Sequence, residues 1–141
     1  MAFSLIEVHE IEPDLCQAVL QHGERQLTVT LRCSHAEALR LPPRFTAELD
    51  HTAIVRFEAD LPPDDSQSGL FPTDDPAVVL ADGRIHHHLE IGSDHVLIDV
   101  YSQTGPEYFT VTSEELGGIV PAMDSRLRLW LLGLSVYPTQ T

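Results

Sequence analysis

The sequence has few basic residues, and none of them is lysine. Twenty-two acidic residues face eight bases, all of them arginine, which gives a formal net charge of −14 with histidine neutral. Such an excess of negative charge repels phosphate backbones and anionic lipid. The composition therefore argues against nucleic acid and membrane surfaces as partners. We expect the charge to serve solubility, with an acidic surface that covers a basic protein partner as the alternative.

Long apolar stretches are also absent. The chain has no run of about 18 apolar residues, which excludes a transmembrane helix. The segment that begins at Met1 lacks basic residues and its apolar run is interrupted at Glu7, so the sequence predicts no secretory signal and a cytoplasmic location. A chain of 141 residues fits one domain, residues 1–141, and buries enough surface to fold without a disulfide or a structural metal.

Cysteine is scarce, and the motifs of several catalytic classes are missing. Cys16 and Cys33 form neither a C-x-x-C pair nor a zinc spacing, and both are predicted to be structural. The sequence contains no Gly-x-Ser-x-Gly elbow and no glycine loop that would cradle a phosphate. We therefore expect a protein that binds rather than catalyses.

Alternating apolar and polar residues run through most of the chain and predict strands. The longest alternation, Phe45–Ala59, would extend about 50 Å as one straight strand, so we expect a bend or a turn near Asp50-His51. Further strands are expected at 27–33, 77–81, 84–91, 95–102, 108–112 and 127–137. The sequence predicts a mainly β fold, an antiparallel β-barrel or sandwich of about 7–8 strands.

Several segments carry a second interpretation. Pro13–Gln21 has apolar residues on a helical face and predicts a short helix, with a hairpin turning at His22-Gly23 as the alternative. Ser34–Leu41 and Ser113–Leu116 predict single helical turns. Leu127–Tyr137 is apolar on both faces and predicts a central strand, with an exposed strand in a homo-oligomer as the alternative.

An acidic, proline-rich segment separates the strands in the middle of the chain. Residues 60–76 contain five aspartates, four prolines and no basic residue. Such a segment buries too little apolar surface to order itself, so we predict a mobile loop, pinned by Leu70-Phe71.

Four of the eight histidines lie in Gly83–His95, which is predicted to be a hairpin turning at Gly92-Ser93. In the expected register, His86 pairs with Asp99 and Glu90 pairs with His95. Imidazoles at alternate positions of a strand project in parallel, and together with a carboxylate they would suit zinc, manganese or iron. The candidate metal ligands are His86, His88, Glu90, His95 and Asp99. The alternative is a solvated sheet face whose histidines pair with carboxylates.

The His-x-His pattern of the predicted hairpin resembles the metal sites of cupins, which lie on antiparallel barrels. That resemblance implies a divalent metal as the cofactor of this chain.

A second pair of motifs flanks the long alternating segment. Arg40-Leu-Pro-Pro-Arg44 precedes it, and Asp64-Asp-Ser-Gln-Ser-Gly69 follows it. Together they resemble the Arg-x-x-x-Arg and Asp/Asn-x-Ser-x-x-Gly motifs of PilZ domains, small β-barrels that bind cyclic di-GMP. The resemblance implies that the arginines clamp phosphates and guanines and that the second motif adds hydrogen bonds. The ligand-binding residues would be Arg40, Arg44, Asp64, Ser66 and Gly69.

Three functional hypotheses follow. The sequence favours a small, acidic, non-enzymatic binding module that acts by protein–protein contact. The alternatives are a cupin-like metal-binding barrel and a PilZ-like domain that binds cyclic di-GMP.

Overall fold

The computed structural model describes residues 2–62, 69–90, 96–101 and 107–139, with side chains described over 3–62, 69–85 and 110–139. These residues form eleven strands and one short helix. The strands are β1 (Ala2–Glu12), β2 (Leu15–His22), β3 (Arg25–Leu31), β4 (Phe45–Asp50), β5 (Ala53–Leu61), β6 (Gly69–Pro72), β7 (Val78–Glu90), β8 (Val96–Tyr101), β9 (Glu107–Thr112), β10 (Arg126–Leu132) and β11 (Ser135–Pro138), and the helix is α1 (His35–Leu39). The mainly β class predicted from the alternation is confirmed.

The chain divides into two compact units. The first, which we call the barrel unit, comprises Met1–Thr52, Phe71–Val79 and Leu132–Thr141. The second, the sheet unit, comprises Ala53–Leu70 and Leu80–Leu131. The interpretation of residues 1–141 as a single domain stays a prediction.

Five strands close the barrel in the order β1-β2-β3-β11-β4. Neighbouring strands are antiparallel, apart from β3 and β11, which run parallel. Alternate side chains of β2 and β3 are buried, as the period of a strand requires: Cys16, Ala18, Leu20, Leu27, Val29 and Leu31. Burial of apolar area at about 25 cal/mol per Å² makes this interior a main source of the stability of the barrel unit.

The helix predicted over Pro13–Gln21 is wrong, and the alternative hairpin is confirmed. The chain turns at Gly23, whose φ of +62° is a conformation that glycine adopts without a Cβ penalty. Cys16, Ala18 and Leu20 are all buried, which is a period of two rather than of 3.6. Packing inside the barrel therefore outweighs the local helical pattern.

The second sheet has the order β5-β10-β7-β8-β9, and β6 pairs with β7. The predicted long strand Phe45–Ala59 is divided into β4 and β5, with a break at His51-Thr52. The turn expected at this place is confirmed.

The predicted strand Leu127–Tyr137 is likewise two strands, β10 and β11, joined through Gly133. A Cβ atom on Gly133 would lie 2.6 Å from Thr52 Oγ1, and the φ of Gly133 is +65°, so a larger residue would require a shift. The buried side chains of this segment are Leu127, Leu129, Leu131, Leu134, Ser135 and Val136. Its interpretation as part of the core is confirmed.

The acidic segment 60–76 contains ordered structure, since β6 lies within it. Leu70 is completely buried, and the Arg25 guanidinium lies 3.9 Å from the centroid of the Phe71 ring. Residues 63–68 lie outside the described residues, so the mobile loop stays a prediction there. In the part of the chain that the structure covers, no helix is long and apolar enough to cross a membrane.

Candidate functional site

The two strands of the predicted histidine hairpin pair, and their register differs from the expected one. The predicted turn at Gly92-Ser93 lies outside the described residues. Ile85 pairs with Val100 as predicted, and then a register shift falls between Ile85 and His87. Beyond it, Asp99 pairs with His87 instead of His86. The predicted pairing is wrong because an irregularity adds one residue to β7, and the pairing advances by one position.

The predicted metal ligands remain a hypothesis. The side chains of His86, His88, Glu90 and Asp99, and the whole of His95, lie outside the described residues. Where side chains are described, no group of three or more histidine, cysteine, aspartate or glutamate residues is placed to hold a metal ion.

The second predicted set is partly described. Arg40 and Arg44 lie in the barrel unit, and Gly69 begins β6. Asp64 and Ser66 lie outside the described residues. The structure therefore brings together the two arginines of the set, and the hydrogen bonds implied for its second motif stay a prediction.

Arg40 and Arg44 line one pocket of about 640 Å³ on the barrel unit. Its other lining residues are Glu37, Leu41, Pro42, Phe45, Thr46 and Thr139. A volume of this size suits a small molecule, since ligand pockets measure about 300–1,000 Å³. The lining combines two cationic side chains with apolar and hydroxyl groups.

One wall of the pocket is held by the capped helix α1. The Glu37 N–H donates to Ser34 Oγ at 3.1 Å, and the Ser34 N–H donates to Glu37 Oε1 at 3.2 Å, which forms a capping box. Hydrogen bonds from the Ser34 side chain and backbone lower the pKa of Glu37, and the charge of Arg40 adds to this. The carboxylate that lines the pocket is therefore already engaged by the helix cap.

Arg40 and Arg44 lie at the two ends of the short segment that connects α1 to β4. Arg40 caps the C-terminus of α1, where its N–H donates to the Ala38 and Glu37 carbonyls. Pro42-Pro43 follows and restricts the backbone, because each proline ring fixes φ. Arg44 then directly precedes β4, whose first residue, Phe45, is buried.

A pair of hydroxyl groups also lines the pocket. Thr46 Oγ1 and Thr139 Oγ1 lie 2.7 Å apart, and the Thr139 N–H donates to the Thr46 carbonyl at 3.0 Å. Phe45 packs beside Phe3, with ring centroids 6.1 Å apart. These contacts attach the pocket to the barrel core.

The eight arginines differ in how they are partnered. Arg25 stacks on Phe71, Arg32 donates to Ser135, Arg84 donates to the Asp124 carbonyl, and Arg56, Arg126 and Arg128 lie beside carboxylates. The side chains of Arg40 and Arg44 form no hydrogen bond, salt bridge or ring contact with any described residue. In a chain with 22 acidic residues, the two arginines without such a partner are therefore the two that line the pocket.

The sheet unit holds a charged network that the sequence did not predict. The Asp82 side chain is 2% exposed, and Arg126 donates to both of its oxygens, from Nε at 2.9 Å and from Nη2 at 2.8 Å. Arg128 Nε also lies 3.3 Å from Asp82 Oδ2, without the geometry of a hydrogen bond. The available signal was the alternation of Arg126, Arg128 and Trp130 with buried leucines in β10.

The same network continues toward solvent. Glu58 Oε1 lies 3.3 Å from Arg56 Nη2 and 3.7 Å from Arg128 Nη1. The guanidinium of Arg56 lies 4.0 Å from the centroid of Trp130, and that of Arg128 lies 5.3 Å away. Trp130 is thus part of a structural network, and its cation–π contacts stabilise the arrangement of the arginines.

The two cysteines do not provide a nucleophile. Burial raises the pKa of the Cys33 thiol to about 11, and Cys16 and Glu37 add to this. Burial, with a contribution from Glu10, also raises the pKa of Cys16, which is completely buried. Because the thiolate is the reactive form, the raised pKa values keep both thiols protonated and lower their reactivity at neutral pH.

Comparison with known proteins adds no family to these observations. No family model, no curated protein and no solved structure matches the chain.

Proposed function

We propose that this protein is a non-enzymatic binding module that holds a small organic anion in the pocket of Arg40 and Arg44. A single observation carries the proposal: among eight arginines, the two without a described partner line the same pocket. Arginines that pair with carboxylates contribute to structure, whereas an arginine that is left without such a partner retains its hydrogen-bonding capacity for a ligand.

The guanidinium group indicates the chemistry of the ligand. Its planar fork donates two parallel hydrogen bonds to phosphate or carboxylate, and these charge-assisted bonds are about twice as strong as neutral ones. Glu37 competes only partly for the two arginines, because its carboxylate accepts from Ser34. The ligand class that suits the pocket is a phosphorylated or carboxylated molecule of nucleotide size.

Cyclic di-GMP is the first probe, because the Arg40–Arg44 spacing resembles that of PilZ domains. GMP and inorganic pyrophosphate separate the contributions of the base and the phosphate. Isothermal titration of each probe into the full chain should give saturable binding to at least one of them. Replacing both residues, Arg40→Ala with Arg44→Ala, should weaken that binding at least tenfold, since each charge-assisted hydrogen bond contributes about 1.5–3 kcal/mol.

Two matched variants separate specific binding from general electrostatics. Arg25→Ala with Arg32→Ala also removes two positive charges, but from residues that do not line the pocket. This variant should bind the probe within a factor of about three of the parent. Arg40→Lys with Arg44→Lys keeps the charge and removes the fork, and it should bind more weakly than the parent. The proposal fails if no probe saturates below millimolar concentration, or if the pocket variant and the control variant lose affinity equally.

A further inference from the structure

An exposed apolar loop lies between β9 and β10 of the sheet unit. Three large apolar side chains within five residues face solvent: Ile119 is 47% exposed, Val120 is 45% exposed and Met123 is 48% exposed. Scattered apolar residues on a surface are ordinary, whereas a cluster of them marks an interaction site. We name Gly117–Asp124 the apolar loop.

Two buried residues and two hydrogen bonds anchor the apolar loop. Leu116, directly before it, is completely buried, and Pro121 is buried at its centre. The Gly118 N–H donates to the Ser113 carbonyl at 2.8 Å, and Ser125 Oγ donates to the Ala122 carbonyl at 2.6 Å. The exposed side chains are therefore presented by a fixed backbone.

Two non-glycine residues with positive φ lie in the apolar loop or form a hydrogen bond with it. Asp60 and Asp124 are the two non-glycine residues with positive φ in the described part of the chain, at +56° and +63°. Asp60 Oδ1 accepts from the Ala122 N–H at 2.8 Å, and the Asp124 N–H donates to the Ile85 carbonyl at 2.9 Å. Strained residues persist where the surrounding structure holds them, and they are concentrated at functional sites.

The charge around the apolar loop is negative. Glu114, Glu115 and Asp124 lie in or beside it, and the sequence has no basic residue between Ser113 and Ser125. Arg84 Nε donates to the Asp124 carbonyl at 3.4 Å. Acidic borders repel a second copy of this chain and anionic lipid, and they attract a basic surface.

We infer that the apolar loop is a docking surface for a protein partner whose apolar cleft is bordered by lysine or arginine. Ile119, Val120 and Met123 would enter the cleft, and the acidic residues would face its basic border. The fixed backbone reduces the entropy that is lost on binding. This surface shares no residue with the pocket of Arg40 and Arg44, and it supplies a location for the protein contact that the sequence favours.

The experiment begins by capturing proteins on the immobilised full chain at low salt from an extract of the cells that make it. The captured protein is identified, purified and titrated against three forms of the full chain. The loop variant, Ile119→Ser with Val120→Ser and Met123→Ser, should weaken binding at least 30-fold. The control variant, Leu39→Ser with Val55→Ser and Tyr137→Ser, removes three exposed apolar side chains elsewhere and should stay within about threefold of the parent.

Further measurements identify the contribution of charge and of folding. Association with the parent chain should slow steeply when salt rises, because the acidic border steers the encounter. Circular dichroism and urea unfolding establish that the loop variant is folded, and Ile119→Ser alone serves if it is not. Anion binding in the pocket should be the same in the loop variant and in the parent, so the two proposals fail independently.

Three results would overturn the inference. One is that no protein is retained at low salt. Another is that the captured protein binds the loop variant as tightly as the parent, or that the control variant loses as much affinity. The third is that the parent chain self-associates through the apolar loop, because the occupant would then be a second copy and not a basic partner.

Discussion

Two groups of arginines, one in each unit, are arranged in opposite ways. In the sheet unit, Arg126 and Arg128 flank the buried Asp82, and Glu58 lies beside Arg128 and Arg56. In the barrel unit, Arg40 and Arg44 line a pocket, and neither forms a salt bridge with a described carboxylate. The charge of Arg40 acts on Glu37 only by lowering its pKa. Arginine thus serves as a structural residue in the sheet unit and as a candidate ligand-binding residue in the barrel unit.

The difference follows from burial. A charge removed from water needs a partner, because desolvation costs several kcal/mol per ion. Arg126, at 14% side-chain exposure, meets that requirement through Asp82. Arg40 and Arg44 are exposed and retain their hydration, so the fold does not require a partner for them. Substitutions in the two regions should therefore affect different measurements.

Replacement of Asp82 by alanine should have the most severe effect on folding. It leaves Arg126 largely buried without its carboxylate, and removal of one partner of a buried ion pair costs about 3–5 kcal/mol. The free energy of unfolding in urea measures this loss. Glu58→Gln is the control, because the Glu58 side chain is 39% exposed and an exposed pair contributes at most about 1 kcal/mol. Equal losses in the two variants would contradict the structural role of Asp82.

Replacement of Ser34 by alanine should have an intermediate effect. It removes the cap of α1, and the loss of an N-cap side chain costs about 1 kcal/mol. Urea unfolding at neutral pH measures the difference from the parent. A Ser34→Asp variant retains an N-cap acceptor and should recover most of the loss, and a variant that recovers nothing would argue against the capping role.

The stability that the Ser34 cap provides should also depend on pH. The pKa of Glu37 is lowered in the folded state, first by the hydrogen bond from the Ser34 side chain. A lowered carboxyl pKa stabilises the fold above the unfolded-state pKa, about 4.3 for glutamate, and this contribution is lost as the pH falls through the folded-state pKa. The difference in stability between the parent and Ser34→Ala should therefore shrink below about pH 4. A difference that is constant across this range would contradict the link between the cap and Glu37.

Replacement of Arg40 or Arg44 by alanine should change stability least. Neither side chain has a described hydrogen-bonding partner, and exposed substitutions of this kind alter the free energy of unfolding by about 0.5 kcal/mol or less. Urea unfolding of each variant, beside Arg126→Ala, compares the two regions directly. A loss at Arg40 or Arg44 as large as that at Arg126 would show that the pocket arginines are structural.

The sequence predicted the fold correctly where burial in the core determines the alternation of apolar and polar residues. The break at His51-Thr52 followed from the length of one uninterrupted alternation, and the β class followed from many such segments. The helix over Pro13–Gln21 failed because the helical and strand patterns share several apolar residues there, and only the closed barrel selects between them. The register shift in β7 has no signature in the sequence, because it depends on how β7 pairs with β8.

The candidate sites were predictable only as far as residue type indicates chemistry. The spacing of Arg40 and Arg44 placed both on one short connection, and the pocket that joins them depends on α1 and on Thr139 from the far end of the sequence. Prediction of the network around Asp82 requires knowledge of which strands pair, because Asp82 and Arg126 are distant in sequence. The apolar loop has no signature in the sequence, because Ile119 and Val120 have the composition of a core segment.

A single NMR titration would test the contrast between the two regions most directly. The eight arginine Nε–H groups can be observed by ¹H–¹⁵N NMR in the full chain, before and after addition of cyclic di-GMP or pyrophosphate. We expect the signals of Arg40 and Arg44 to shift in a saturable manner, while those of Arg126 and Arg128 stay in place. Signals that all remain unchanged, or shifts at Arg126 and Arg128 instead, would contradict the assignment of the pocket as the ligand site.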